Sequence, residues 1–395
     1  MGSENRGVKE RNFMLDCGRK YYTPAWIKRL ILALEEAGYN ALNLHFSEDI
    51  GMRLESKTYP WLAGGDHTLC VYGSEKGCPE DDGKYITQDE MADIVRFAQA
   101  HGLEVIPGLD SPAHMNYAAK KYNAHYGSNI SNYFHKNGKT AIVQGSSIRK
   151  DPAQTAYSRG IDITSEEALR FVKSLYTEFG QFFRSLGCTT FDIGGDEVLG
   201  FGENIDETHY KWLNLENWRD YAIEKTGNPN AVAYDAFVLY MNDIGHMMRE
   251  MGYTGIRVWN DEAYRSGDTG WREVVTLDPT FDIQFGLATA NNGANPAKLY
   301  LERGHNIYNF TSYYTYYTLG FGFISRITPD VIDAEWDAYV FDKNRPDGDP
   351  EAGDPRVMGG GFCLWSDTAG AETEDEVLEH ILPYLQAVGR KLQGT

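Results

Sequence analysis

The sequence predicts one α/β domain, a (β/α)8 barrel whose extra length lies in long loops at the rim. Three observations point to this fold: eight short apolar runs recur along the 395 residues, most runs precede a stretch with helical periodicity, and no repeat or linker divides the chain. An open doubly wound sheet is the second interpretation. It fits less well because no glycine-rich phosphate loop follows the first run.

The apolar runs are interpreted as the barrel strands. They cover residues 13–15, 41–46, 104–107, 191–194, 256–259, 283–285, 307–310 and 361–365. The stretches with apolar residues at helical spacing are predicted helices, at residues 25–37, 87–101, 165–186, 234–251, 296–303 and 373–392. Capping residues precede three of these helices, and glycine follows five of them, as expected where helices begin and end.

Composition and charge disfavour several classes of partner. There are 37 Lys and Arg against 57 Asp and Glu, and the net charge of −20 disfavours nucleic acid and anionic membrane surfaces. No apolar run approaches the roughly 20 residues that span a bilayer, so no membrane span is expected. Five widely spaced cysteines predict neither a disulfide framework nor a zinc site, and no cofactor or metal is expected. A pairing of Cys70 with Cys78 is the alternative.

The beginning of the chain has the features of a cloning remnant. Met1-Gly2-Ser3 opens a stretch without the apolar segment of a signal peptide. We therefore expect residues 1–10 to be a tag or linker and residues 11–395 to be a single catalytic barrel. The native compartment stays open between the cytoplasm and a secreted or cell-surface location from which a leader was trimmed.

Carboxylates and aromatic residues follow the predicted strands. Because the carboxyl ends of parallel barrel strands meet at one rim, these side chains are expected to converge. They are Asp16, Arg19, His45, Glu48, Asp49, Asp110, His114, Asp196, Glu197, Asn260, Asp261, Glu262, Tyr313, Tyr314, Tyr316, Tyr317, Trp365 and Asp367. Carboxylates bind hydroxyls and move protons, and aromatic faces stack on sugar rings, so the mixture indicates a carbohydrate site.

The sharpest motif is Gly194-Gly195-Asp196-Glu197, which follows the fourth run. Neighbours on a regular strand point to opposite faces, but two glycines allow the backbone to break that alternation, so both carboxylates can reach one pocket. Like charges this close raise the pKa of one of them, which suits a general acid. The alternative is a structural ion pair with one acid facing solvent.

Five segments, taken in order, resemble the catalytic barrel of glycoside hydrolase family 20, which holds β-N-acetylhexosaminidases and lacto-N-biosidases. The segments are Leu-Asp-Cys-Gly-Arg at 15–19, His-Phe-Ser-Glu-Asp at 45–49, Pro-Gly-Leu-Asp-Ser-Pro-Ala-His at 107–114, Gly-Gly-Asp-Glu at 194–197 and Trp-Ser-Asp at 365–367. The resemblance runs from about residue 11 to the end of the chain and includes the family signature, Gly-Gly-Asp-Glu.

The resemblance implies a retaining exo-glycosidase that removes terminal β-linked N-acetylhexosamine (GlcNAc or GalNAc) by substrate-assisted catalysis through an oxazolinium intermediate. Its partner would be an N-acetylhexosamine-terminated glycan. The first alternative is a lacto-N-biosidase that releases a disaccharide by the same mechanism, and the second is a non-catalytic sugar-binding barrel. A metal-dependent barrel enzyme is a further reading, which no His-x-His or His-Glu-x-x-His spacing supports.

The resemblance also implies roles for individual residues. Glu197 would be the acid and base, Asp196 would orient the acetamido group, and Tyr316 would hold its oxygen, with Tyr317 as the alternative. The residues expected at the sugar are Arg19, His114, Trp259, Phe285, Tyr317, Trp365 and Asp367, and those expected behind the acids are His45, Asp110 and Asp192. A bracing role is the alternative for His114.

Several positions depart from the family pattern. Asp192 stands where many members have His, Phe285 where a pocket Trp is common, Thr318 where Asp is usual, and Gly108 where Glu is common. Together with Asp367 in place of Glu, these changes resemble a subgroup that includes lacto-N-biosidases and bacterial surface hexosaminidases. Long loops at 56–82 and 122–159 would decide whether the pocket accepts one sugar or two.

Overall fold

The computed structural model describes residues 7–70, 73–133, 135–136, 139–140, 158–198, 216–261, 263–264, 273–287, 295–323 and 327–394. Eight parallel strands in these residues form a sheet that closes on itself, because the first strand pairs with both the second and the last. They are β1 (Glu10–Asp16), β2 (Ala41–His45), β3 (Glu104–Gly108), β4 (Thr190–Asp192), β5 (Gly255–Trp259), β6 (Asp282–Phe285), β7 (Ile307–Asn309) and β8 (Val357–Trp365). The predicted (β/α)8 barrel is confirmed.

The helices pack around this barrel. They are α1 (Pro24–Glu36), α2 (Gln88–Ala100), α3 (Asn116–Tyr126), α4 (Glu166–Ser185), α5 (Glu216–Thr226), α6 (Ala233–Glu250), α7 (Ala297–Glu302), α8 (Ser312–Thr315), α9 (Pro329–Glu335) and α10 (Glu374–Gln393). The six predicted helices correspond to α1, α2, α4, α6, α7 and α10. The others were missed; α3, for example, has no side-chain cap and buries few apolar residues, so its sequence carries a weak signal.

Local capping explains where the predicted helices begin and end. Thr23 accepts a hydrogen bond from the Trp26 amide at the start of α1, and Ser165 accepts one from the Ala168 amide at the start of α4. Thr373 forms a capping box at the start of α10. The five predicted terminal glycines all have left-handed φ: Gly38, Gly102, Gly187, Gly252 and Gly304.

Short additional strands lie in the segments that follow the barrel strands. The strand Tyr316–Thr318 pairs in parallel with the end of β8 and forms a hairpin with Gly322–Phe323. After β2, the pieces Ser47–Glu48, Gly51–Met52 and Gly64–Gly65 form a small antiparallel sheet. Two further antiparallel pairs join Ser131–Tyr133 to Ser158–Ile161 and His135–Lys136 to Lys139–Thr140. Short 3-10 turns cover His67–Leu69, Ser74–Lys76, Pro79–Asp81 and Pro346–Gly348.

The sequence predicted neither a disulfide framework nor a membrane span. All five cysteines are free thiols, so Cys70 and Cys78 do not form a disulfide, and Cys17, Cys188 and Cys363 are buried. Among the helices described, none combines the length and apolar character that crossing a bilayer requires.

The amino end of the barrel contains a buried ion pair. Arg257 of β5 is 1% exposed, and its Nη1 and Nη2 donate to the two carboxylate oxygens of Glu10, at 2.7 and 2.5 Å. Its guanidinium also lies 3.9 Å from the ring centroid of Tyr308 of β7. The interior of this end is thus held together by contacts among β1, β5 and β7.

Removal of one partner should leave the other charge buried without compensation. We expect Glu10→Gln to lower the free energy of unfolding by about 3 kcal/mol, as for other broken buried pairs, and urea denaturation measures it. The matched control is Glu335→Gln, which removes an exposed pair with Lys343 at 2.7 Å and should cost less than about 1 kcal/mol. Equal losses in the two variants would contradict the importance of the buried pair.

Candidate active site

A strained turn carries the two adjacent carboxylates beyond the end of β4. Gly194, Gly195 and Glu197 have φ of 71°, 91° and 48°. A Cβ on Gly194 would lie 1.8 Å from Asp110 Oδ1, and one on Gly195 would lie 2.7 Å from the Met241 methyl carbon. Gly194 therefore requires glycine for backbone conformation and for space, and Gly195 requires it for backbone conformation.

Asp110 supports this turn from behind. It is fully buried, and its Oδ1 accepts a hydrogen bond from the Gly195 amide at 3.0 Å. Burial, and next the charge of Asp196, raise the pKa of its carboxyl well above the usual range. Asp110 is thus placed where the sequence predicted it, next to the acid pair.

His114 lies between the acid pair and a second group of carboxylates. Its Nε2 is 3.6 Å from Asp196 Oδ2 and 3.5 Å from Glu197 Oε2, and its Nδ1 is 2.9 Å from Glu48 Oε2 and 3.3 Å from Asp49 Oδ2. Burial opposes the charge of the imidazole, but the surrounding carboxylates, Glu48 first, raise its pKa well above the usual value. The raised pKa favours the protonated ring, and its Nε2 faces both acids.

Glu48 is a site residue for which the sequence predicted no role. Its Oε1 lies 2.8 Å from Arg19 Nη1 and 3.2 Å from His45 Nε2. Burial alone would raise the pKa of its carboxyl, but Arg19 and His114 hold it well below the usual range. Its position three residues after His45, on the same rim, was the signal available in the sequence.

Arg19 is held in place by carboxylates from two strands. Besides Glu48, its Nη1 contacts Asp16 Oδ2 at 2.8 Å, and its side chain is 13% exposed. The guanidinium lies 5.6 Å from the ring centroid of Trp365. Burial raises the pKa of the nearby Asp367 carboxyl, and Arg19 opposes that rise. Arg19, Trp365 and Asp367 thus lie together and form one edge of the site.

Three aromatic side chains form a second edge. The ring of Trp365 lies 5.8 Å from that of Trp259 and 5.6 Å from that of Tyr316. Gly286 makes room for them, since a Cβ there would lie 2.1 Å from Tyr316 Oη. The indole nitrogens of both tryptophans are buried and have no hydrogen-bond partner among the described residues. These side chains form a wall with polar atoms left to bind a ligand.

Two residues predicted at the sugar lie elsewhere. Tyr317 donates to the carboxylate of Glu372 at 3.2 Å, and its ring packs 6.4 Å from Tyr384 of α10. Phe285 is fully buried and packs edge-on against Phe341 at 5.2 Å. Both directions follow from strand alternation, because the neighbours Tyr316 and Gln284 point inward. The structure therefore brings Tyr316, but neither Tyr317 nor Phe285, to the aromatic wall.

The remaining predicted residues lie beneath the acid pair. His45 packs edge-on against Trp365, with ring centroids 5.6 Å apart, and Glu48 raises its pKa against the effect of burial. Asp192 lies inside the barrel, where burial raises the pKa of its carboxyl and hydrogen bonds oppose that rise. Glu262, named among the rim residues, lies outside the described residues.

Several groups of side chains bring possible metal ligands together. Three are in the site: His45, Glu48 and Asp110; Glu48, Asp49 and His114; and Asp110, His114 and Asp196. A fourth, Asp66, His67 and Asp82, lies apart, and Lys120 already pairs with Asp66 at 2.7 Å. In the site, Arg19 already pairs with Glu48 at 2.8 Å, so a metal ion bound to Glu48 would meet positive charge.

Comparison with known proteins connects this geometry to a family. The sequence model of the glycosyl hydrolase family 20 catalytic domain matches residues 9–391. The lacto-N-biosidase of Bifidobacterium bifidum is 24% identical over 78% of this chain and 23% of its own length. The N,N'-diacetylchitobiase of Vibrio harveyi is 23% identical over 71% of this chain and 36% of its own length. The chain thus spans about a quarter to a third of these relatives.

Solved structures show the same fold. Dispersin B superposes with a TM-score of 0.65 at 20% identity, covering 97% of this chain and 99% of that one. A structure of the tandem GH20 catalytic modules of the pneumococcal exo-β-D-N-acetylglucosaminidase StrH gives a TM-score of 0.69 at 20% identity, covering 98% of this chain and 85% of that one. With the match of the family model to nearly the whole sequence, the chain belongs to glycosyl hydrolase family 20 and contains its catalytic domain.

Proposed function

We propose that this protein is a retaining exo-glycosidase that removes terminal β-linked N-acetylhexosamine from glycans. The observation that carries the proposal is the pair Asp196 and Glu197, set beside buried polar atoms that have no partner among the described residues: Asp196 Oδ1 and the indole nitrogens of Trp259 and Trp365. Burial of such an atom without a hydrogen bond costs about 1–3 kcal/mol. A sugar with hydroxyl and acetamido groups provides partners for all of them.

Adjacent carboxylates favour substrate assistance over an enzyme nucleophile. A retaining enzyme with its own nucleophile places two carboxyl groups about 5 Å apart on opposite faces of the sugar. Asp196 and Glu197 follow one strand, and both face the same imidazole, that of His114. The attacking group is then the acetamido oxygen of the substrate itself.

The chemistry proceeds in two steps. Glu197 protonates the glycosidic oxygen as the acetamido oxygen bonds to the anomeric carbon, so the aglycone leaves and an oxazolinium ion forms. Glu197 then takes a proton from water, which attacks the same carbon and opens the ring with net retention. Asp196 accepts the acetamido N–H and stabilises the positive charge, while the Tyr316 hydroxyl donates to the acetamido oxygen.

Packing behind Asp367 supports a pocket for one sugar. The Cys70 thiol donates to the Asp367 carbonyl at 3.4 Å, and the Gly370 amide donates to the Lys76 carbonyl at 3.1 Å. A Cβ on Gly370 would lie 2.3 Å from the Gly77 carbonyl oxygen. The loop at 56–82 therefore packs directly against the segment that follows β8. If Asp367 accepts from the far hydroxyls of the first sugar, a second sugar would need the space behind Asp367, and this packing disfavours that arrangement.

Loss of the acid should slow turnover strongly and leave binding intact. We expect Glu197→Gln to lower kcat on p-nitrophenyl β-GlcNAc about 1,000-fold, the usual share of a general acid, with KM little changed. The matched control is Glu104→Gln at the amino end of β3, which should keep wild-type rates. Wild-type activity on p-nitrophenyl lacto-N-bioside alone would favour the disaccharide alternative, and no hydrolysis of either substrate would favour the sugar-binding barrel.

A stable mimic of the oxazolinium ion tests substrate assistance. GlcNAc-thiazoline should inhibit the wild type strongly, because transition-state analogues bind at least about 100-fold more tightly than substrates. Asp196→Asn places an amide opposite the ring nitrogen and should remove this advantage, whereas Asp354→Asn, at the far end of the barrel, should retain it. The inhibition constants decide the matter, and failure of thiazoline to bind the wild type would show that the mechanism is wrong.

The raised pKa values of His45 and His114 should make stability depend on pH through Glu48. Because Glu48 raises the pKa values of His45 and His114 in the folded protein, their stabilisation is full below the unfolded value, about 6.5, and is lost as pH rises through the folded values. We therefore expect the free energy of unfolding to fall with pH above about 6.5, and to fall less in Glu48→Gln. Urea denaturation across this range measures both slopes.

The control for this pH dependence is Glu35→Gln, which removes the partner of His101 in an exposed pair at 2.8 Å. It should keep the wild-type slope. Identical slopes for Glu48→Gln and the wild type would contradict the role of Glu48 in raising the pKa values of His45 and His114.

A further inference from the structure

A layer of three polar side chains crosses the barrel interior just below the acid pair. Asn43 of β2, Asp192 of β4 and Gln284 of β6 are all buried, at 1% exposure or less. Asp192 Oδ2 accepts from Asn43 Nδ2 at 2.8 Å and from Gln284 Nε2 at 2.9 Å. Alternate strands of a (β/α)8 barrel contribute the side chains of one layer, which apolar branched residues usually fill. Here Asp192 ties three strands together through its carboxylate.

The same carboxylate holds the start of the catalytic turn. Asp192 Oδ1 accepts from the Gly194 amide at 3.0 Å. The next amide, that of Gly195, is held by Asp110, and the Gly194 carbonyl accepts from the Trp259 amide at 3.0 Å. Because neither glycine has a side chain that could pack, these hydrogen bonds determine where the turn lies.

We propose that Asp192 is a positioning residue for the acid pair: its carboxylate joins the Gly194–Gly195 turn to β2 and β6 and so fixes where Asp196 and Glu197 meet the sugar. Asp192 does not contact the substrate. Its action passes through the backbone of the turn, and a misplacement of about 1 Å in such a group costs about 100-fold in rate. The proposal deepens the proposed function and rests on it only for the kinetic readout.

The kinetic test compares Asp192→Ala with Asp192→Asn. We expect the Ala variant to lose about 100-fold in kcat on p-nitrophenyl β-GlcNAc with KM unchanged, because Arg19, Trp365 and Asp367 stand on other strands. The Asn variant keeps an oxygen for the Gly194 amide, and Asn43 and Gln284 can each turn the side-chain amide so that its oxygen accepts from the new Nδ2. It should therefore recover most of the lost kcat. An Ala variant with wild-type kcat, or an Asn variant as slow as the Ala variant, would overturn the proposal.

Two further variants separate positioning from stability. Glu10→Gln weakens the fold at the opposite end of the barrel and should leave kcat unchanged. This control shows whether a loss of stability alone lowers kcat. Gln284→Leu removes one of the donors to Asp192 Oδ2 and should lower kcat about tenfold without changing KM, by a smaller misplacement of the same kind. It tests the proposal even if Asp192→Ala does not fold, and a Gln284→Leu variant with wild-type kcat would count against it.

Crystal structures test the positioning without relying on turnover. In Asp192→Asn the Cα atoms of Asp196 and Glu197 should superpose on the wild type, and in Asp192→Ala or Gln284→Leu they should shift by more than about 0.5 Å, the tolerance of a catalytic group. An unmoved turn in both the latter variants would refute the proposal. A wild type that hydrolyses no N-acetylhexosaminide would refute the proposed function alone.

Discussion

The site is built around one electrostatic constraint: two adjacent carboxylates must stand at a rim already crowded with buried acids. Glu48 and Asp110 are both at most 1% exposed. Glu48 contacts the His114 imidazole, which also faces Asp196 and Glu197, and Asp110 accepts a hydrogen bond from the turn that carries them. Uncompensated charges of this kind are expensive to bury. The protein meets the constraint in two ways. His114 and Arg19 neutralise Glu48, while burial and the charge of Asp196 raise the pKa of Asp110, which favours its neutral form.

The charged and aromatic parts of the site come from different halves of the barrel. Strands β1 to β4 provide an unbroken chain of ionic contacts, from Arg19 through Glu48 and His114 to Glu197. Strands β5 to β8 and the hairpin after β7 provide the wall of Trp259, Tyr316 and Trp365. This division follows from the order of a parallel barrel, in which strands that are consecutive in sequence are neighbours in space.

The sequence predicted the barrel and most of the site because their signals are local. Apolar runs, caps and terminal glycines mark elements directly, and residues after a strand necessarily lie on the rim. The predictions that were wrong or missing needed to know which way a side chain points, or which side chains lie close together in three dimensions. The sequence correctly located the segments that contain Tyr317 and Phe285. In the structure, however, the side chains that point inward are those of their neighbours Tyr316 and Gln284. Glu48 was seen as one of many rim acids, since only the fold reveals that Arg19, His45 and His114 converge on it.

The two halves of the site also need to be joined, and the structure joins them at both seams with backbone amides. At the seam of β4 and β5, the Trp259 amide donates to the Gly194 carbonyl at 3.0 Å. At the seam of β8 and β1, the Ser366 amide donates to Asp16 Oδ2 at 2.9 Å, on the carboxylate that also holds Arg19. Trp259 is thus hydrogen-bonded to the charged half directly, and Trp365 is connected to it through the next residue, Ser366. The position of the wall relative to the acids is therefore set by the backbone of the sheet, since side-chain rotamers alone would leave it variable.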